Sequence, residues 1–224
     1  MGGRRYHQYC PVARALDLVG ERWTLLIARE LLLGPRRFTD LAEGLPGIGS
    51  SVLAGRLADL EQSGLVTKRT LPPPAASVVY ELTDQGRGLA PVLAALAGWG
   101  MNLLDRPRED DQVHGRWLVQ GLAVTAKSAP STPDATYELR VDNEAFQVRS
   151  HDGRVQAADG PASNPNATIT LTTDTLATIA AGDLDIPSPR ADRLIAIDGD
   201  TVGAQRLLAS LTPIRTITDT AEQR

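Results

Sequence analysis

Apolar residues in the first hundred positions recur at the three-and-four spacing of a helix face. Val12, Leu16 and Val19 form one set, Trp23, Leu26, Ile27 and Leu31 a second, and Phe38, Leu41 and Leu45 a third. The third helix should stop at Gly44 and Leu45-Pro46-Gly47, because glycine weakens a helix and proline disfavours helical geometry in the residue before it. A fourth helix is expected to start near Ser50 or Ser51, either of which can cap its exposed amides. It would bury Leu53, Leu57 and Leu60 on one face and close at Gly64. LVTKRTL and SVVYELT then read as two strands around a proline-rich loop, Leu71 to Ser77. Thr83-Asp84 opens a helix through Leu89, Val92, Leu93, Leu96 and Trp99.

The period changes after RPREDDQ, Arg106 to Gln112, a charged stretch with no apolar residue. Trp117, Val119 and Gly121 alternate as a strand does. Tyr137 to Val141, a turn at Asp142-Asn143, and Phe146 to Val148 predict a hairpin. Ala167 to Leu171 is a further strand, followed by a helix from Thr173 or Asp174 through Leu176, Ile179 and Ala180. Ile195 and Ile197 mark a short extended segment, and Asp198 or Asp200 caps a last helix carrying Val202, Leu207, Leu208 and Leu211. The expected fold class is α+β in two domains: residues 1–105 with the helix, turn, helix and strand pair, a linker at 106–113, and an α+β layer at 114–224.

A helix, a sharp corner, a second helix and a strand pair admit two readings. One is a winged helix-turn-helix, whose second helix enters the DNA major groove while the hairpin lies on the backbone. The other is a corner that serves only packing.

Composition narrows the classes. The 224 residues are 42% hydrophobic, enough for real cores, and no run approaches the roughly 18 apolar residues of a membrane span. The arginines near the start precede no apolar leader core, so a cytoplasmic location is expected, with no membrane partner. One cysteine, Cys10, excludes an internal disulfide framework, and the scattered His7, His114 and His151 show no ligand spacing, so no metal and no cofactor is expected. The net charge of -4 is unevenly divided. Residues 1–105 carry 11 Lys/Arg against 10 Asp/Glu, and 106–224 carry 12 against 17, so the acidity belongs to the second half.

The residues CPVARALDLVGERWTLLIARELLLGPRRFTDLAEGLPGIGSSVLAGRLADLEQSGLV and VVYELTDQGRGLAPVLAALAGWG resemble the HxlR-type winged-helix transcriptional regulators over almost all of 9–105. Cys-Pro at the start, the Trp23 segment, Gly-Pro-Arg-Arg-Phe at 34–38, the Leu-rich run ending at Leu65, Tyr-x-Leu-Thr at 80–83 and Trp-Gly at 99–100 carry the resemblance. It implies a bacterial, homodimeric repressor or activator binding double-stranded operator DNA, with dimer contacts from the first helix and the helix ending near Leu104. More loosely, NATITLTTDTLATIAAGDLD with LIAIDGDTVGAQRLLASL resembles the sterol-carrier-protein-like fold over about 115–212, which implies a lipophilic small-molecule effector. A domain that only extends the dimer is the plainer alternative.

Within the first half, Ser51, Gly55, Asp59 and Gln62 lie opposite the Leu53, Leu57 and Leu60 face, flanked by Val52 and Arg56. Arg56 can donate two hydrogen bonds to guanine, or pair with Glu61 or Asp59 on a solvated face. Ser50 or Ser51 can reach a phosphate or base edge, or only cap the helix. Arg36 and Arg37 at the start of the bracing helix, and Lys68 and Arg69 on the first wing strand, are candidate phosphate contacts. Where the family often has a basic residue and a Gln on the recognition helix, this chain has Ser51 and Gly55, and its wing tip carries no positive charge. Weaker binding per subunit, greater reliance on dimerisation, or reading of DNA shape would follow. Cys10, at an expected N-cap before Pro11, matches the position where some regulators of this kind sense electrophiles or oxidants; a small buried residue near the dimer interface is the alternative. With one cysteine, only an intersubunit disulfide or an adduct can form.

No nucleophile elbow, phosphate loop or H-E-x-x-H motif is present, and GIGSSV lacks the third glycine of a dinucleotide fingerprint. Asp183/Asp185 and Asp198/Asp200 sit in settings that suit turns and caps, so an enzyme is not expected. The remaining rival is a lipid carrier whose front half mainly dimerises.

Overall fold

The computed structural model describes residues 5–100, 103, 111–125, 134–152 and 154–210. Two compact units divide the chain, Met1–Ala95 and Leu96–Arg224. Residues 106–110 of the expected linker and Leu211 lie outside the described residues.

In the first unit, α1 (Pro11–Val19) begins with proline in its first turn after extended Cys10, where a missing amide costs no hydrogen bond. Helices α2 (Thr24–Leu32) and α3 (Phe38–Glu43) follow, the latter ending at Gly44. Helix α4 (Ser50–Gln62) turns its Leu53, Leu57 and Leu60 inward against Ile27, Leu31 and Leu41. At roughly 2 kcal/mol per fully buried leucine, that stripe outweighs the poor intrinsic helicity of a segment with glycine at 55. The expected serine caps are corrected: Gly49 occupies the N-cap, its carbonyl accepts from Leu53 N at 2.9 Å, and Ser50 is already inside the helix. Gly64 closes α4 at φ +72°.

Strands β1 (Val66–Thr70) and β2 (Val78–Leu82) pair antiparallel, Val66 opposite Leu82 and Thr70 opposite Val78. Thr83 ties this hairpin to the end of α4: its hydroxyl donates to the Gly64 carbonyl at 2.6 Å and accepts from Gly86 N at 3.1 Å. The single helix expected from Thr83 breaks into α5 (Asp84–Arg87) and α6 (Ala90–Gly100). Pro91 is the physical reason, since it has no amide to continue the ladder and fits only in a first turn. No residue of α6 is buried; Val92, Leu96 and Trp99 lie exposed along it at helical spacing, and Leu103 is exposed as well. Val12 and Leu16 of α1 are likewise exposed.

In the second unit, α7 (Gly115–Thr125) replaces the strand expected at Trp117, Val119 and Gly121. Burial there recurs at Arg116, Val119, Gln120 and Ala123, a helical period that the apolar residues alone do not display because two inward positions are polar. Strands β3 (Ala135–Val141) and β4 (Glu144–His151) form the expected hairpin, and β5 (Arg154–Asp159) extends it. β6 (Ala167–Leu171), helix α8 (Thr173–Ala180), a short α9 (Ala191–Leu194), β7 (Ala196–Gly199) and α10 (Thr201–Ser210) complete the described unit. The sheet order is β5-β4-β3-β6-β7, with β3 and β6 parallel and the other pairs antiparallel. Thr172 caps α8 through Thr175 N, and Asp200 caps α10 through Gly203 N at 3.0 Å. Tyr137, Phe146, Ile169, Leu176 and Ile179 are fully buried in its core.

Candidate nucleic-acid interface

The turn between α3 and α4 spans residues 44–49, and the buried Leu41, Leu45 and Leu53 hold the two helices together around it. This leaves Ser50, Ser51, Val52, Ala54, Gly55, Ala58, Asp59, Glu61 and Gln62 exposed on α4. The outward face is built of short side chains, and a Cβ placed at Gly55 meets nothing within 4 Å.

Arg56 is the one cation of α4. Its Nη1 lies 3.2 Å from Asp59 Oδ2 and 3.8 Å from Glu21 Oε2, so the solvated ion pair with Asp59 that the sequence admitted is present. Glu21, in the corner between α1 and α2, is a partner that spacing does not reveal; Asp59, at i+3, is legible.

The other basic candidates cluster around Tyr80. Arg36 pairs its backbone with that residue in both directions, at 2.9 and 2.8 Å, which joins the start of α3 to the wing. Its Nε is buried without a hydrogen-bond partner among the described residues. Lys68, opposite Tyr80 in the ladder, places its ammonium 5.6 Å from the ring centroid. Exposed Arg37 occupies the N-cap of α3 and donates from Nε to Ser77 Oγ at 3.1 Å, while its amide donates to Asp40. Arg69 is paired with Glu81 at 3.0 Å. Helix and wing therefore gather four cations on two neighbouring segments, one of them neutralised by its cross-strand acid. Cys10 is a free, half-buried thiol at the α1 N-cap, with no side-chain capping bond.

Two features of the second unit escape sequence reasoning. An open groove of about 400 Å³ is lined by Asp142, Thr170, Leu171, Thr172 and residues 192–196. Separately, His151, Asp134 and Asp152, all exposed, bring potential ligand atoms within 4.8 Å of one another, although the histidine spacing gives no sign of it. Asp134 Oδ2 lies 2.7 Å from His151 Nδ1, and its Oδ1 accepts from Asp152 N at 3.1 Å. The backbone bond first, and His151 second, hold the Asp134 carboxyl below its ordinary range.

Comparison with known proteins gives each unit a relative. The family model described as HxlR-like helix-turn-helix matches residues 18–108, and that of the SCP-2 sterol transfer family matches 124–211. The uncharacterized HTH-type transcriptional regulator YvaP of Bacillus subtilis is 35% identical over 99 residues, 44% of this chain and 92% of its own length. The HTH-type transcriptional regulator YodB of the same organism is 38% identical over 91 residues, 40% of this chain and 81% of its own. The solved structure of reduced YodB covers 45% of this chain and all of its own, at 34% identity and a TM-score of 0.39. Coverage of nearly the whole of a regulator such as YvaP, together with the helix-turn-helix and wing, carries the assignment: the chain belongs to the HxlR-like helix-turn-helix family of transcriptional regulators, with an SCP-2-type second half.

Proposed function

We propose that the protein is a cytoplasmic homodimer that binds a specific duplex operator through α4 and the wing, and whose second domain takes a lipophilic effector that alters this binding. The proposed domains are 1–105 for DNA and dimer contacts and 114–224 for the ligand, joined by 106–113. The observation that carries the reading is α4 itself: braced on its leucine face by α2 and α3, it presents an unencumbered opposite face of the size a major groove admits. Ser50, Ser51, Gly55 and Arg56 would meet the groove, and Arg36, Arg37, Lys68 and Arg69 the phosphates. The exposed row on α6 and the apolar residues of α1 support dimerisation. Among the described residues no helix is long and apolar enough to cross a membrane. The apolar floor at Leu171 and Ile195 makes the open groove a place for the effector's hydrocarbon part.

Fluorescence anisotropy with DNA from upstream of the protein's own gene, and unrelated DNA as control, tests the regulator. Saturable binding selective for one DNA is expected, weakened by Arg56→Ala by about 1–3 kcal/mol. Effector coupling fails if operator affinity is unchanged by a saturating lipophilic ligand. Cys10 enters as a sensor: diamide should release DNA from the parent and not from Cys10→Ser. The SCP-2 match favours a second reading, a lipid carrier, which predicts tight lipid binding with no DNA selectivity.

A further inference from the structure

We infer that Glu21, with Asp59, is a specificity-determining positioning residue: the two acids hold Nη1 of Arg56 and present the opposite Nε–Nη2 edge of its guanidinium to a guanine in the groove. The inference rests on α4 being the DNA-reading helix.

Both carboxylates near Arg56 face one nitrogen, Nη1: Asp59 on its own helix at 3.2 Å, and Glu21 on the α1–α2 corner at 3.8 Å, a charge contact beyond hydrogen-bond reach. A guanidinium reads guanine O6 and N7 with two adjacent N–H groups, and the Nε–Nη2 edge is such a pair. Anchoring Nη1 from two elements leaves that edge available and removes the rotamer freedom that an arginine otherwise loses on docking. The side chain is already 28% exposed against 56% and 57% for the acids, so the guanidinium rests against the protein while its anchors face water.

Charge decides between this role and simple phosphate binding. One cation held by two carboxylates makes a cluster of net -1, which repels phosphate. Arg36, Arg37 and Lys68 have no carboxylate ion pair among the described residues and are better suited to that task. For a base edge the same acids are useful. In water, exposed pairs of this kind are weak and salt-screened, but expulsion of water from a groove lowers the local dielectric and strengthens the hold on Nη1.

The test begins with selection of a binding site from a random duplex library by the full-length protein. Each guanine of that site is then replaced by 7-deazaguanine, which lacks the N7 acceptor, and affinities are read by anisotropy for the parent, Glu21→Gln, Asp59→Asn and Arg56→Lys. For the parent, one guanine should show a loss of roughly tenfold. Glu21→Gln and Asp59→Asn should shrink that loss to about twofold or less and tighten binding to random DNA, because each removes a negative charge facing phosphate. Arg56→Lys should abolish the discrimination. If the parent selects no sequence at all, the DNA-reading function itself falls. If it selects a site and Glu21→Gln keeps the parent's full penalty, or no guanine is sensitive, the positioning role of Glu21 is overturned while the regulator stands.

Discussion

Arg116 places a guanidinium at 4% exposure on the inner side of α7, where Nη2 contacts both oxygens of Asp159 at 2.9 and 2.8 Å and Nη1 lies 3.4 Å from Glu144. The two acids keep 28% and 47% exposure, so the two halves of the network differ in what deletion leaves behind. Asp159→Ala takes an anion at 2.8 Å from a buried cation and should cost about 3 kcal/mol. Arg116→Met leaves acids that rehydrate and should cost about 1 kcal/mol, the order to be read from urea midpoints. Tyr137 offers a second test. Its hydroxyl is buried with no hydrogen-bond partner among the described residues, and burial first, Asp200 second, raise its pKa above the ordinary value near 10. The unfolded tyrosine ionises near pH 10 while the folded one stays neutral, so stability is full below that pH and declines above it. Tyr137→Phe should be neutral or slightly stabilising at pH 7 and should lessen the alkaline decline, measured by thermal melts from pH 8 to 11.

At the scale of elements, the join between wing and recognition helix is set by α5. A Cβ on Gly86 would fall 2.0 Å from the Leu65 carbonyl oxygen, a backbone atom that cannot turn aside. Gly86→Ala should therefore cost more than about 2 kcal/mol in urea unfolding, whereas Gly55→Ala, with open space around it, should stabilise α4 by up to about 1 kcal/mol, so that any loss it causes falls on DNA binding. The same contrast explains what sequence reading can reach. Helix α4 was legible because its buried residues, Leu53, Leu57 and Leu60, are apolar and periodic, whereas α1 was legible from Val12 and Leu16, which are apolar and periodic yet exposed. Helix α7 was not, since buried Arg116 and Gln120 interrupt its stripe, nor β5, whose inner positions include the weakly patterned Ala157 and Ala158. At the interface the cations were legible by type and element, but Glu21 meets Arg56 only through the fold, and the serines lost their capping role to a glycine one position earlier.

On the whole molecule, charge and apolar surface are divided in different ways. The first 105 residues are close to neutral and the remainder strongly acidic, so DNA affinity must come from a few placed cations rather than bulk attraction, and should fall steeply with salt. Leu96→Glu in the exposed row of α6 should convert a dimer to a monomer in analytical ultracentrifugation and weaken operator binding by tenfold or more, since two half-sites are then no longer held together. That row has a further consequence. Val92 and Leu96 of α6, like Val12 and Leu16 of α1, are exposed large apolar side chains, and in the proposed dimer association buries more of them by mass action. The melting temperature should then climb with protein concentration, and operator occupancy should vary with the square of monomer abundance at low levels. A small change in synthesis rate would thus be sharpened into a larger change in promoter output before any effector is bound.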